Sequence, residues 1–126
     1  MAELHVELVA ADRKVWSGEA TIVVARTTDG DTGIQPGHTP VLGVLESGPV
    51  TIRQADGTTI VAAVHGGFVS FANNELSLLA EIVELADEID VARAQRALER
   101  AGHEKDVAAE RRADTRLRAA GVGVGH

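Results

Sequence analysis

The stretch Glu84-Leu85-Ala86-Asp87-Glu88-Ile89-Asp90-Val91-Ala92-Arg93-Ala94 separates two kinds of pattern in the chain. Upstream of it, apolar residues alternate with polar ones or form short Val/Ile/Thr-rich runs broken by Gly, Pro, Asn and Asp. Downstream, Gly is absent until position 102, Pro does not occur, and Ala, Arg and Glu recur at three- and four-residue spacing. The apolar period changes here from about 2 to about 3.6, the difference between a pleated strand and a helix. The stretch is therefore the junction between a β-domain, residues 1–86, and a helical tail, residues 87–126.

Working downstream, Asp87 has the chemistry of an N-cap, and Glu88 and Asp90 place negative charge in a first turn, where the helix dipole favours it. The spacing predicts a helix to Ala101 with Gly102 as its stop, then a second helix over Glu104–Ala120 fraying into Gly-Val-Gly-Val-Gly-His. Ala94, Ala97, Leu98 and Ala101 would line one helix and Val107, Ala113 and Leu117 the other. The short connection predicts an antiparallel two-helix hairpin. Its seam is mostly Ala, which buries little area, and helices this short are marginal alone in water. A weakly docked hairpin able to leave the β-domain is the expectation.

Working upstream, Leu4, Val6 and Leu8 alternate with His5 and Glu7, a strand with one buried face. Asp12–Gly18 reads as a connector carrying the lone Trp16, a residue type that beside a turn usually anchors a core. Thr21–Thr28 reads as a strand, Asp29–Gly33 as a turn cluster and Ile34–Pro40 as a stiff loop with two prolines around Gly37. Further strands are predicted at Val41–Leu45, Val50–Gln54, Thr59–Val64, Phe68–Ala72 and Leu76–Val83. The turns between them fall at Ser47-Gly48-Pro49, Ala55-Asp56-Gly57-Thr58, His65-Gly66-Gly67 and Asn73-Asn74. Roughly seven to ten short strands at this spacing indicate a sandwich or barrel.

Composition narrows the function classes. The chain has 126 residues, 44% hydrophobic and 25% charged, as in a globular protein. No apolar run approaches the ~18 residues of a membrane span, and the N-terminus lacks a signal-peptide pattern. Cys is absent, so disulfides and thiolate zinc sites are excluded. Aromatics make up 2%, too few for base-stacking nucleic-acid recognition, and no nucleic-acid partner is expected. The net charge of −7 is unevenly spread. Residues 1–87 hold twelve acidic and four basic side chains, and residues 88–126 hold seven and eight. Arg111, Arg112, Arg116 and Arg118 fall close together on the tail. They either meet an acidic surface, on this chain or on a partner, or form a solvated helix face.

Catalytic chemistry finds no support. His38 and His65 sit in predicted loops without metal-ligand spacing, so no metal site is expected. Ser17, Ser47, Ser70 and Ser77 lack a nucleophile elbow. His65-Gly66-Gly67-Phe68 is too short to cradle phosphate, and paired glycines before a strand more often mark a bulge or close backbone approach. The junction offers the one binding candidate. Asp90 and Arg93 share a helix face that Arg96 and Arg100 continue. If the hairpin folds on itself, Arg93, Arg100 and the second-helix arginines converge, and their guanidinium forks suit a phosphate chain, with Asp90 accepting from a sugar or amino group. The other reading is an intrahelical Asp90–Arg93 pair worth a few tenths of a kcal/mol.

Three motifs in order resemble the epsilon subunit family of the bacterial and chloroplast F-type ATP synthase. They are Gly33-Ile34-Gln35-Pro36-Gly37-His38-Thr39-Pro40; His65-Gly66-Gly67-Phe68-Val69 followed by Leu78-Leu79-Ala80-Glu81; and Ile89-Asp90-Val91-Ala92-Arg93-Ala94, similar to the family's Ile/Leu-Asp-x-x-Arg-Ala motif. The resemblance implies a ten-stranded antiparallel β-sandwich followed by a two-helix hairpin. It implies a non-catalytic rotor subunit of the central stalk, peripheral on the cytoplasmic face of the cell membrane. The implied partners are the gamma subunit, the c-ring and, through an extended hairpin that suppresses ATP hydrolysis, the catalytic alpha and beta subunits. Asp31, where relatives often carry Glu, and His38 fall in the region used against the stalk and ring. No cofactor is required, but the motif makes Ile89, Asp90, Arg93 and Ala94 the candidates to contact ATP as a regulatory ligand. The alternative function is a small ATP-sensing module acting outside the synthase.

Overall fold

The computed structural model describes residues 3–121, so of the predicted glycine-rich end only Gly121 is included and the rest lies outside the described residues. The strands are β1 (Leu4–Ala10), β2 (Lys14–Ala20), β3 (Ile22–Thr27), β4 (Gly30–Ile34), β5 (Val41–Leu45), β6 (Gly48–Arg53), β7 (Thr59–Ala72) and β8 (Glu75–Leu85). A 3-10 turn at Ala86–Glu88 leads to helices α1 (Val91–Glu104) and α2 (Val107–Ala119). The strand order is β2-β1-β8-β7-β5-β3-β4, with β6 beside β3 and β7.

Two features depart from the ten-stranded, all-antiparallel expectation. The described residues form eight strands, and β1 runs parallel to β8, from His5 opposite Glu75 to Ala10 opposite Ala80. Elements so far apart in sequence are not bound by a hairpin turn to antiparallel pairing. The lower count has its cause at His65-Gly66-Gly67, which lies inside β7 rather than in a loop. The first half of β7 pairs with β6 and the second half with β5. Inward-facing residues change phase at this point, from Ala62 and Val64 to Val69 and Phe71. β8 changes phase at the same level, from Leu76, Leu78 and Ala80 to Val83. The halves of β7 therefore read from the sequence as separate strands, Thr59–Val64 and Phe68–Ala72, whereas β8 reads as the single strand Leu76–Val83.

Glycine is required at the crossing. Gly66 has φ +72° and Gly67 φ +145°, and a Cβ on Gly67 would lie 2.0 Å from the carbonyl oxygen of Leu79. The next turn, Asn73-Asn74, has both residues at positive φ, 53° and 59°, the geometry that matches the strand twist of a two-residue hairpin. The core is filled by the alternating residues of β1, by Leu76 and Leu78 of β8 and by Val23, Ile34, Val50, Ile52 and Phe71.

Other boundaries moved for local reasons. The expected connector Asp12–Gly18 is mostly strand β2, where Val15 and Trp16 pack partly buried against the core. The Trp16 ring lies over Gly18, where a Cβ would come within 2.8 Å of it. The Asp29–Gly33 turn contracts to Thr28-Asp29, because the Thr27 hydroxyl accepts from the Asp29 amide at 3.1 Å and Gly30 already begins β4.

The helix start also shifts. Asp87 falls in the 3-10 turn, and Asp90 is the N-cap of α1, its Oδ1 accepting from the Arg93 amide at 3.0 Å. Gly102 does not end α1; the helix continues to Glu104, and Lys105 takes the left-handed position with φ +56°. Asp106, capping α2 through the Ala109 amide at 3.0 Å, fixes the stop two residues after Glu104. Val107, expected in the helix seam, is 67% exposed in the first turn of α2.

α2 packs on β6 and β7 and also against α1. Ala62 and Val64 face the sandwich core, so Ala63 and His65 face outward. α2 covers them: Ala63 is fully buried, and Ala113 and Leu117 on α2 are buried as well.

Candidate functional site

The junction places Asp90, Arg93 and Ala94 on one cleft of about 590 Å³, together with Glu84, Glu88, Arg96, Ala97, Arg100 and Arg116. Ile89, the fourth residue of the motif, does not line it; its amide donates to the Ala86 carbonyl at 3.3 Å and closes the 3-10 turn. The Asp90 carboxylate accepts from the backbone of Arg93, so the expected side-chain pair is instead a helix cap. Among the described residues neither Arg93 nor Arg96 is in an ion pair. Glu88 accepts from the Leu85 amide at 3.0 Å and pairs with Arg13 at 3.4 Å, and the amide bond holds its carboxyl below the usual carboxylate range.

Asp31 and His38 do not converge. Asp31 is exposed on β4, 3.3 Å from Arg26 across the β3–β4 pair, near the turn that faces the Leu45 end of β5. His38 lies in the loop before the Val41 end of β5, with its ring edge-on to Phe71 at 6.2 Å and its Nδ1 2.7 Å from the Thr39 carbonyl. Gly37 donates to the Asn74 side chain at 2.8 Å, which ties this loop to the β7–β8 turn. With ~3.3 Å per strand residue the two positions are on the order of 13 Å apart along the sheet. They are two separate contact points.

Two features of the surface escaped the sequence reading. On the outer face, Val44 lies opposite Phe68 and Phe68 opposite Leu79, so three strands present a continuous apolar row. Phe68 is 60% exposed and Leu79 50%, and Leu42, 84% exposed, extends the row along β5. A groove of about 430 Å³ runs beside it, lined in part by Val9, Ala10, Gly67 and Leu79. The available signal was the apolar doublets Val41-Leu42, Phe68-Val69 and Leu78-Leu79, in which both faces of a strand are apolar.

The second feature is a polar cluster beneath α2. Arg116 Nε donates to Glu84 Oε1 at 2.6 Å, joining the helix to β8. His65 Nε2 stands 3.4 Å from the same oxygen, and Ser47 Oγ is 3.0 Å from His65 Nδ1. The tail's basic residues thus include one that meets an acidic group of its own chain, whereas Arg118 pairs within α2 to Asp114. Among the described residues no group of three His, Asp or Glu side chains is arranged to hold a metal, and no helix is long and apolar enough to cross a membrane.

The family model "ATP synthase, Delta/Epsilon chain, beta-sandwich domain" matches residues 3–86. An ATP synthase epsilon chain of Streptomyces avermitilis is 78% identical over 118 residues, covering 94% of this chain and 95% of its own. One from Rhodococcus jostii is 52% identical over 110 residues, covering 86% and 90%. Among solved structures, a chain of the Euglena gracilis mitochondrial ATP synthase OSCP/F1/c-ring assembly matches with TM-score 0.77 at 20% identity, covering 93% of this chain and 76% of that one. A chain of the Tetrahymena thermophila mitochondrial ATP synthase central stalk and c-ring matches with TM-score 0.64 at 18% identity, covering 97% and 98%. At such identities these structures carry the fold alone.

Proposed function

The chain belongs to the ATP synthase epsilon-chain family, a non-catalytic accessory subunit of that complex, and from this premise we propose that its sandwich joins the gamma subunit to the c-ring while its helical hairpin restrains ATP hydrolysis. The observation that carries the reading is the apolar row Val44–Phe68–Leu79. An exposed apolar strip of this kind marks a protein contact, since solvation of such surface is unfavourable. In the proposed arrangement this row and the His38 loop face gamma. Asp31, at the other end of the sheet, faces the ring at the cytoplasmic side of the membrane. The antiparallel hairpin, residues 87–126, is the regulatory element and reaches the catalytic alpha and beta subunits when it leaves the sandwich. Its thin alanine seam, with Leu117 as the main large anchor of α2, supports a low cost of release.

The brake is tested by truncating the chain after Asp87 and measuring ATP hydrolysis by the assembled complex. Hydrolysis rises on truncation if the hairpin restrains it, and equal rates with and without the hairpin rule the brake out.

The junction cleft favours a second role, ATP as a ligand that holds the hairpin down, with Arg93 and Arg96 toward phosphate. This is also the binding a free-standing ATP-sensing module would need. Calorimetry with ATP separates the two uses of Asp90 and Arg93. Loss of binding in Arg93→Ala supports a site, and no binding to the parent chain at millimolar ATP leaves Asp90 a helix cap only.

A further inference from the structure

We propose that His65, buried between β7 and α2, is a proton-sensitive latch: the neutral ring sits under the docked hairpin, and protonation of the ring releases it.

The geometry comes from every element around the ring. Ser47, before β6, occupies Nδ1 at 3.0 Å. On the other side Nε2 is buried without a hydrogen-bond partner, 3.4 Å from Glu84 Oε1 of β8. That carboxylate is already held by Arg116 of α2 at 2.6 Å. Arg112, also of α2, adds a second cation acting on the ring, and Glu46, Glu81 of β8 and Arg111 of α2 line the same groove as the ring. The His65 side chain is 4% exposed, so water has almost no access to it.

A proton on Nε2 would place a second cation against a carboxylate that already serves a guanidinium. With water excluded, the cost of an imperfectly compensated charge is large. Leaving the sandwich removes it: the ring meets water, Arg112 and Arg116 depart with the helix, and Glu84 stays on the neighbouring strand. The undocked form therefore binds the proton more tightly than the docked form.

The sign follows by linkage. Burial and then Arg116 hold the docked ring below its ordinary value of 6.5, with Glu84 opposing them. Docking is fully supported above about pH 6.5 and weakens as pH falls below it. Other histidines of the described residues do not share this placement: His38 and His103 are exposed, and His5 pairs with Glu19 at 2.8 Å on β1. The latch rests on the hairpin being able to undock, as proposed above. It concerns what sets that equilibrium, not what the released hairpin does.

The chain has no Cys, so exposed Ala55→Cys and Gln95→Cys can carry a pair of spin labels without background. Distance distributions between sandwich and hairpin are recorded from pH 8 to pH 5.5, with the lone Trp16 reporting that the sandwich remains folded. The ratio of docked to undocked chains falls by about threefold or more across this range in the parent, and stays level in His65→Gln, whose neutral amide still meets Ser47. A level ratio in the parent, or the same fall in His65→Gln, overturns the latch. The hydrolysis assay on the truncated complex reads the brake, so latch and brake can fail independently.

Discussion

Replacing Arg116 by Met keeps most of the side chain's bulk and removes its charge. Arg116 Nε lies 2.6 Å from Glu84 Oε1, and the two side chains are 27% and 29% exposed, so this contact is neither an open surface pair nor a fully buried one. Hydrogen bonds to charged groups contribute about 1.5–3 kcal/mol when well formed, and exposed ion pairs about 0–1 kcal/mol. A loss of about 1–2 kcal/mol in docking is therefore expected, a shift of roughly 5- to 30-fold in the docked population. Amide hydrogen exchange along α2 reads this locally. Protection at Leu117 and Ala119 should drop by the same factor in Arg116→Met, while amides of β1 and β8 around Leu8 and Leu78 keep theirs. Unchanged protection in α2 would refute the assignment of the Glu84 contact as a holding point. An equal loss in the sandwich would show that hairpin and sandwich open as one unit.

Other substitutions test separate parts of the fold. Gly67→Ala combines a left-handed backbone with a Cβ 2.0 Å from the Leu79 carbonyl, and is expected to cost about 3–5 kcal/mol, read as a lower urea midpoint; a midpoint within the error of the parent's contradicts the close approach of β7 and β8. Lys105→Gly relieves a non-glycine residue at φ +56° and should stabilise the hairpin by about 0.5–1 kcal/mol, read as increased protection in α1 and α2; decreased protection means the Lys105 side chain matters more than its backbone.

The sequence showed the change of architecture because a change of apolar period is a local property. β1 and β5 were legible for the same reason: each has an inner and an outer face and a clear turn at its ends. β7 was not legible as one strand, because its glycines are turn residues in isolation, and only pairing with β8 keeps the chain extended through them. Asp87 and Asp90 are both acceptable caps by residue type. The choice between them is made by the 3-10 turn, where Glu88 bonds back to the Leu85 amide. At the candidate site Asp90 and Arg93 were placed on one helix face by their spacing and Ala94 joined them through the family motif; all three line the junction cleft. Arg116 was among the tail arginines expected to meet an acidic surface, but Glu84 and His65 were not read as its partners, because the three come from different elements and only the docking of α2 brings them together. The apolar row was present as doublets, but which member of each doublet faces outward depends on the phase change at Gly66-Gly67.

The central claim, that the outer face of the sandwich is the gamma contact, is tested most directly by titrating purified gamma subunit with this chain and with Phe68→Asp. Phe68 is 60% exposed in the free chain, so the substitution should leave the fold intact, which Trp16 emission checks. Loss of one buried aromatic contact, about 1.5–3 kcal/mol, together with desolvation of the new carboxylate, predicts an affinity at least about tenfold weaker. Gamma binding equally tight in the parent and in Phe68→Asp would contradict the account.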